Sequence, residues 1–154
     1  RAYFETTIKP LMNSPWVEFV GEIGDHEKDD FLGKALACLF PVDWPEPFGL
    51  AMIEALACGT PVIAFGNGSV PEIVEDGVTG FIVDSVQSAV EAVGRVASVD
   101  RSECRASFEK RFTVTRMAQE YLKVYNQFVG QTDAADRALL NRSATGIQVI
   151  SGGV

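Results

Sequence analysis

Apolar and polar positions along this chain change period several times. Residues 2–12 carry Phe4, Ile8, Leu11 and Met12 at helical spacing. The WVEFV run at 16–20 alternates about Glu18 and stops at Gly21, which predicts a strand. Asp25 is placed to cap a helix running through Phe31, Leu32, Ala35 and Leu36. Two short apolar runs, CLFP at 38–41 and PVIAF at 61–65, predict buried strands. Between them Pro47 is placed to open a helix that closes at Gly59. Ser69 and Glu72 have the spacing of a capping box before a short helix ending near Gly77. The turn pair Asp76 and Gly77 then leads to a strand at 81–83, followed by helices over 86–99 and 101–110. Thr113 is placed to cap a last helix with an apolar stripe of Met117, Tyr121, Leu122, Val124, Tyr125 and Phe128. That stripe is expected in the core. Past Gly130 the periodicity fades, with room for a helical turn or two over 133–141. The Ser/Gly-rich end, 143–154, is expected to be loose.

Short apolar strands separated by helices predict an α/β fold, a Rossmann-like parallel sheet flanked by helices on both faces. The expected organisation is one domain over 1–129 and a loosely ordered tail over 130–154. In such folds ligands sit at the carboxyl ends of the strands, against helix N-termini.

Composition narrows the partners. The 154 residues are 47% hydrophobic and 22% charged, as expected of a chain that buries a core. A formal charge of −8 argues against a nucleic-acid or membrane-surface binder. An anionic ligand must therefore be held by local groups. No apolar run is long enough to cross a bilayer, and no signal-peptide pattern opens the chain. Three cysteines without a CxxC pair do not make a zinc site. Cys38 and Cys58 read as small core residues, and a reducing, cytoplasmic setting is the expectation. The chain opens on Arg1, which points to a piece of a longer polypeptide.

The chemistry lies in the segment DWPEPFGLAMIEALACGTP, residues 43–61. If the helix opens at Pro47, Glu46 takes the cap position, for which Ser, Thr, Asp and Asn are favoured over Glu. Either the helix dipole favours that carboxylate or a ligand uses it. Glu54 is the one charged residue between Phe48 and Cys58. Either it needs a ligand or donors in a helix buried all round, or it marks one exposed stripe. Along a helix the two acids stand about 12 Å apart, too far to share a proton but suited to one extended polyhydroxylated ligand. Between them, the amides of Phe48, Gly49 and Leu50 are expected to be unpaired first-turn donors, a site for phosphate. The order of groups matches a sugar, a diphosphate and a ribose.

Glu46 to Glu54, embedded in EPFGLAMIEALACGTPVIAFGNGSVPEIVEDGVTGFIV, resembles the E-x7-E donor-binding segment of the retaining glycosyltransferases of family 4, the group 1 transferases. The resemblance extends back through WVEFVGEIGDHEKDDFLGKALACLFP and covers most of residues 1–129. It implies a GT-B fold, with this chain forming most of the C-terminal, donor-binding domain. It implies sugar transfer from a nucleotide-diphosphate sugar to an acceptor, with retained configuration, no cofactor and no metal. Glu46 becomes the candidate catalytic residue and contacts the donor sugar's hydroxyls. Glu54 contacts the ribose, and the Phe48, Gly49 and Leu50 amides lie near the diphosphate. Glu22, Ile23 and Gly24, after the WVEFVG run, lie near the base. The family's Arg and Lys that grip the diphosphate, and its acceptor domain, would precede Arg1. A chain without them is expected to be a half-site without turnover. Where relatives have a double glycine, this chain has Gly66-Asn67-Gly68-Ser69. The alternative is a noncatalytic nucleotide-sugar-binding or interaction module that keeps the fold.

Other candidates recede. His26, in DHEKDD, is expected to be a solvated helix-start residue, and the acids around it crowd one helix start, where the dipole favours them. Trp44, beside the motif, either shapes the donor-sugar pocket or packs its loop, and the second is expected.

Overall fold

A computed structural model describes residues 2–129. These fall into two compact units, one up to Ser107 and one from Phe108. In the first unit, three strands form a parallel sheet: β1 (Cys38–Phe40), β2 (Val62–Phe65) and β3 (Gly80–Val83). Cys38 lies opposite Val62, and Val62 opposite Gly80. Pro41 and Pro61 fall just outside the strands, because proline has no N–H for the ladder.

The helices are α1 (Asp25–Lys34), α2 (Leu50–Ala57), α3 (Val70–Ile73), α4 (Val86–Arg95), α5 (Arg101–Arg111) and α6 (Val114–Val129). Residues Met52, Ile53, Ala55 and Leu56 of α2 pack into the core with Val62, Ile63 and Ala64 of β2. Val70, Ile73, Phe81, Val83, Ala92, Val96 and Cys104 complete it. Helix α2 ends in a Schellman motif: Gly59 N donates to Leu56 O (2.9 Å) and Thr60 N to Ala55 O (2.8 Å). Ser85 caps α4 by accepting from Ser88 N, and Thr113 Oγ1 accepts from Arg116 N at the start of α6.

One tie fixes α1 beside the end of α2. Thr60, fully buried, donates its hydroxyl to Leu32 O (2.6 Å). Arg101 donates to Gly33 O (2.7 Å), Ala35 O (2.8 Å) and Thr60 Oγ1 (2.9 Å). Arg101 thus supplies partners to the Gly33 and Ala35 carbonyls at the end of α1, and Thr60 adds a second bond to Leu32 O, which also accepts from Ala35 N.

Several expectations need correction. Residues 16–20 are exposed and form no strand; Trp16 is 92% exposed. A strand needs a neighbour to complete its ladder, and among the described residues β1 pairs only with β2. Gly24, not Asp25, is the cap of α1, and that helix stops at Lys34, short of Ala35 and Leu36. The buried cysteine is Cys104; Cys38 and Cys58 are half-buried. Trp44 stands 57% exposed. Ser69 does precede α3, but its side chain makes no capping bond, and its buried hydroxyl has no partner among the described residues. The α6 stripe is exposed, from 47% at Val124 to 66% at Phe128. The tail expected over 130–154 lies outside the described residues.

Candidate functional site

The loop from β1 to α2 carries Glu46, Phe48 and Gly49. Helix α2 starts at Leu50, not at Pro47, because Gly49 holds φ +77° and ψ +52° and serves as its cap. That left-handed conformation is outside a helix and suits glycine. A Cβ there would also overlap the methyl of the buried Met52. Glu46 is therefore not the cap residue. Its Oε1 instead accepts from Gly49 N (3.0 Å) and Phe48 N (3.4 Å). Two of the three amides expected to be free are thus taken by the protein's own carboxylate. The Leu50 and Ala51 amides donate to no acceptor among the described residues. They are the open donors at the positive end of α2.

The loop after β2 sets the place of Glu46. Ser69 N donates to Glu46 O (2.8 Å), and Asn67 Nδ2 donates to Val42 O (3.3 Å). Gly68 lies so close that a Cβ on it would overlap the Glu46 backbone N and O. The Gly-Asn-Gly-Ser sequence thus works as a clamp on the β1–α2 loop.

Glu54 sits one turn into α2, on a stripe with exposed Leu50 and half-buried Cys58. Helix α2 is therefore not buried all round: it carries one exposed stripe, and Glu54 lies on it. Its carboxylate is not alone: Lys28 Nζ of α1 donates to Glu54 Oε1 at 2.8 Å and stands 3.3 Å from Asp25 Oδ1. The hydrogen bonds that Lys28 donates to the Glu54 and Asp25 carboxylates hold its ammonium above the ordinary pKa of 10.5. Lys28 was missed in the sequence because it sits among the acids of DHEKDD, which read as a solvated helix start. A signal was present: it lies one turn inside the helix that follows Glu22, Ile23 and Gly24. Lys28 N donates to Gly24 O (3.2 Å), so the expected base turn and Glu54 are joined through α1.

A cleft of about 760 Å³ opens at the carboxyl ends of β2 and β3, lined by Asp43, Asn67, Asp84, Ser88 and Arg95 among others. It shares Asn67 with the clamp. Such ends are where ligands bind in open α/β sheets. His26 is exposed, and no helix among the described residues is long and apolar enough to cross a membrane.

The architecture is shared with solved glycosyltransferases. Sucrose-phosphate synthase from Thermosynechococcus elongatus superposes with a TM-score of 0.71 at 27% identity, over 85% of this chain and 35% of that one. Anabaena HepE, solved in complex with UDP-glucose, superposes with a TM-score of 0.67 at 25% identity, over 82% and 36% of the two chains. In sequence, the D-inositol 3-phosphate glycosyltransferase of Mycobacterium sp. (strain KMS) is 34% identical over 113 residues, 66% of this chain and 25% of its own length. The chain thus spans about a third or less of these proteins. Residues 1–113 match the family described as Glycosyl transferases group 1. A parallel sheet with helices, GT-B neighbours and a match over most of its length place this chain in the group 1 glycosyltransferase family.

Proposed function

We propose that this chain is the donor-binding part of an enzyme that transfers a sugar from a nucleotide-diphosphate sugar to an acceptor, with retained configuration. The observation that carries the reading is the start of α2. Two open amide donors, Leu50 and Ala51, stand between two acids, each of which has only one oxygen bonded among the described residues. Glu46 Oε1 holds the loop and Oε2 is left for a sugar hydroxyl; Glu54 Oε1 holds Lys28 and Oε2 is left for the ribose. The amides and the helix dipole face the diphosphate, as a helix N-terminus favours. In transfer, the bond between the anomeric carbon and the phosphate oxygen breaks, the oxygen of an acceptor hydroxyl takes its place, and that hydroxyl's proton passes to the leaving diphosphate. Charge then grows on the leaving diphosphate, where fixed donors stabilise it most. The UDP-glucose held by Anabaena HepE supports the ligand class. Glu46 is the proposed catalytic residue, because it would touch the sugar being transferred.

The binding expected of this half-site is weak, on the order of millimolar, near −4 kcal/mol. Saturation-transfer NMR with UDP-glucose tests it. Glu54→Ala removes a charge-assisted bond of about 1.5–3 kcal/mol and should weaken binding at least tenfold. Equal transfer of saturation to the ligand by both proteins would overturn the assignment.

A further inference from the structure

We propose that Lys28 is a positioning residue for Glu54: it holds one carboxylate oxygen so that the other meets the ribose, and so distinguishes ribonucleotides from deoxyribonucleotides. The inference rests on the donor-site reading above and adds to it a residue and a selectivity.

Glu54 projects from an exposed stripe of α2, where a glutamate free in water would sample many rotamers. The 2.8 Å contact from Lys28, 26 residues earlier in the chain, selects one of them. Lys28 is itself held from the other side by Asp25 at 3.3 Å, and its helix is anchored to the end of α2 through Thr60 and Arg101. The pair is only partly open to water, with side chains 33% and 40% exposed. Its geometry suits a lysine. An ammonium is a point charge that engages one oxygen, whereas a guanidinium would fork across both. Single-oxygen contact leaves Glu54 Oε2 available as an acceptor for a hydroxyl. The ammonium remains charged across the neutral range, since its pKa lies above 10.5. Because Lys28 also lies one turn from Gly24, it spans the interval between the expected base turn and the ribose contact.

The probes are UDP and 2′,3′-dideoxy-UDP, with affinities measured by ligand-observed NMR on the wild-type chain, Lys28→Met, Lys28→Arg and Glu54→Ala. Lys28→Met keeps the apolar stem and removes the charge. Wild type should prefer UDP by tenfold or more, and Glu54→Ala should lose that preference. Lys28→Met should bring the two ligands within twofold of each other by weakening UDP alone. Lys28→Arg should lose the preference as well, although its charge is kept. A Lys28→Met protein that retains the full preference overturns the role of Lys28. A wild type without preference, or a Glu54→Ala protein that keeps it, overturns the donor-site reading instead. Melting temperatures accompany each measurement. If Lys28→Met and Lys28→Gln both fail to fold, the ion pair is structural and the proposal fails.

Discussion

Gly68→Ala strikes the contact that holds Glu46 in place. Gly68 has φ +58°, and its missing Cβ would overlap the backbone N and O of Glu46 and crowd the Pro45 carbonyl carbon. A left-handed alanine costs about 1–2 kcal/mol. The overlap is with backbone, so no rotamer change relieves it, and the Ser69 N to Glu46 O bond must lengthen. Losing that bond adds about 0.5–1.5 kcal/mol. The sum, about 1.5–3.5 kcal/mol, is a change of roughly 10- to 300-fold in the unfolding constant. Urea unfolding followed by circular dichroism measures it. Gly94→Ala is the control: Gly94 lies in α4 with nothing near its Cβ position, and alanine there should add about 0.5–1 kcal/mol. A Gly68→Ala protein as stable as wild type, alongside a stabilised Gly94→Ala, would refute the clamp.

Other predictions concern single groups. Burial pushes the Cys104 thiol from 9.0 up to about 11, so the folded state keeps a proton that the unfolded chain releases. Its contribution is complete below pH 9 and is lost as pH rises toward 11, a fall of about 2–3 kcal/mol. Cys104→Ala should flatten this alkaline loss in stability measured by urea unfolding; an unchanged slope would contradict it. Ser69 buries a hydroxyl without a partner among the described residues, so Ser69→Ala should cost nothing or gain up to about 1 kcal/mol in the same assay; a clear loss would contradict this. Arg101→Met removes three charge-assisted bonds to the ends of α1 and α2. It should destabilise by at least about 1.5–3 kcal/mol and speed hydrogen exchange at Ala35 N, which donates to Leu32 O.

Strands β1, β2 and β3 were legible because each is a short apolar run bounded by Pro or Gly, and burial forces them to pair. The strand expected at 16–20 failed because alternation says which face would be buried and nothing about a neighbour. At α2, the sequence singled out Glu46 and Glu54 but placed the helix start at Pro47, whereas it begins at Leu50. Proline can open a helix, yet Gly49 requires positive φ, and only the backbone reveals that. The acceptance of the Phe48 and Gly49 amides by Glu46 was hidden for the same reason: it depends on how the loop turns back on itself. Lys28 was placed by the sequence one turn after Gly24, but its pairing with Glu54 was not legible, because that partner lies 26 residues away on another helix. Cys104 looked unremarkable within RSECRAS, a polar stretch, yet it is fully buried, with its thiol 3.6 Å from Thr79 O just before β3.

The central claim is that the open end of α2 receives the diphosphate. Amide-detected NMR during titration with UDP-glucose tests it most directly, because the Leu50 and Ala51 amides are themselves the proposed donors. Those two signals should shift together and saturate, with Gly49 following as Glu46 readjusts. If they stay fixed while Asp84, Ser85 and Ser88 in the neighbouring cleft shift instead, the ligand sits elsewhere and the account is wrong.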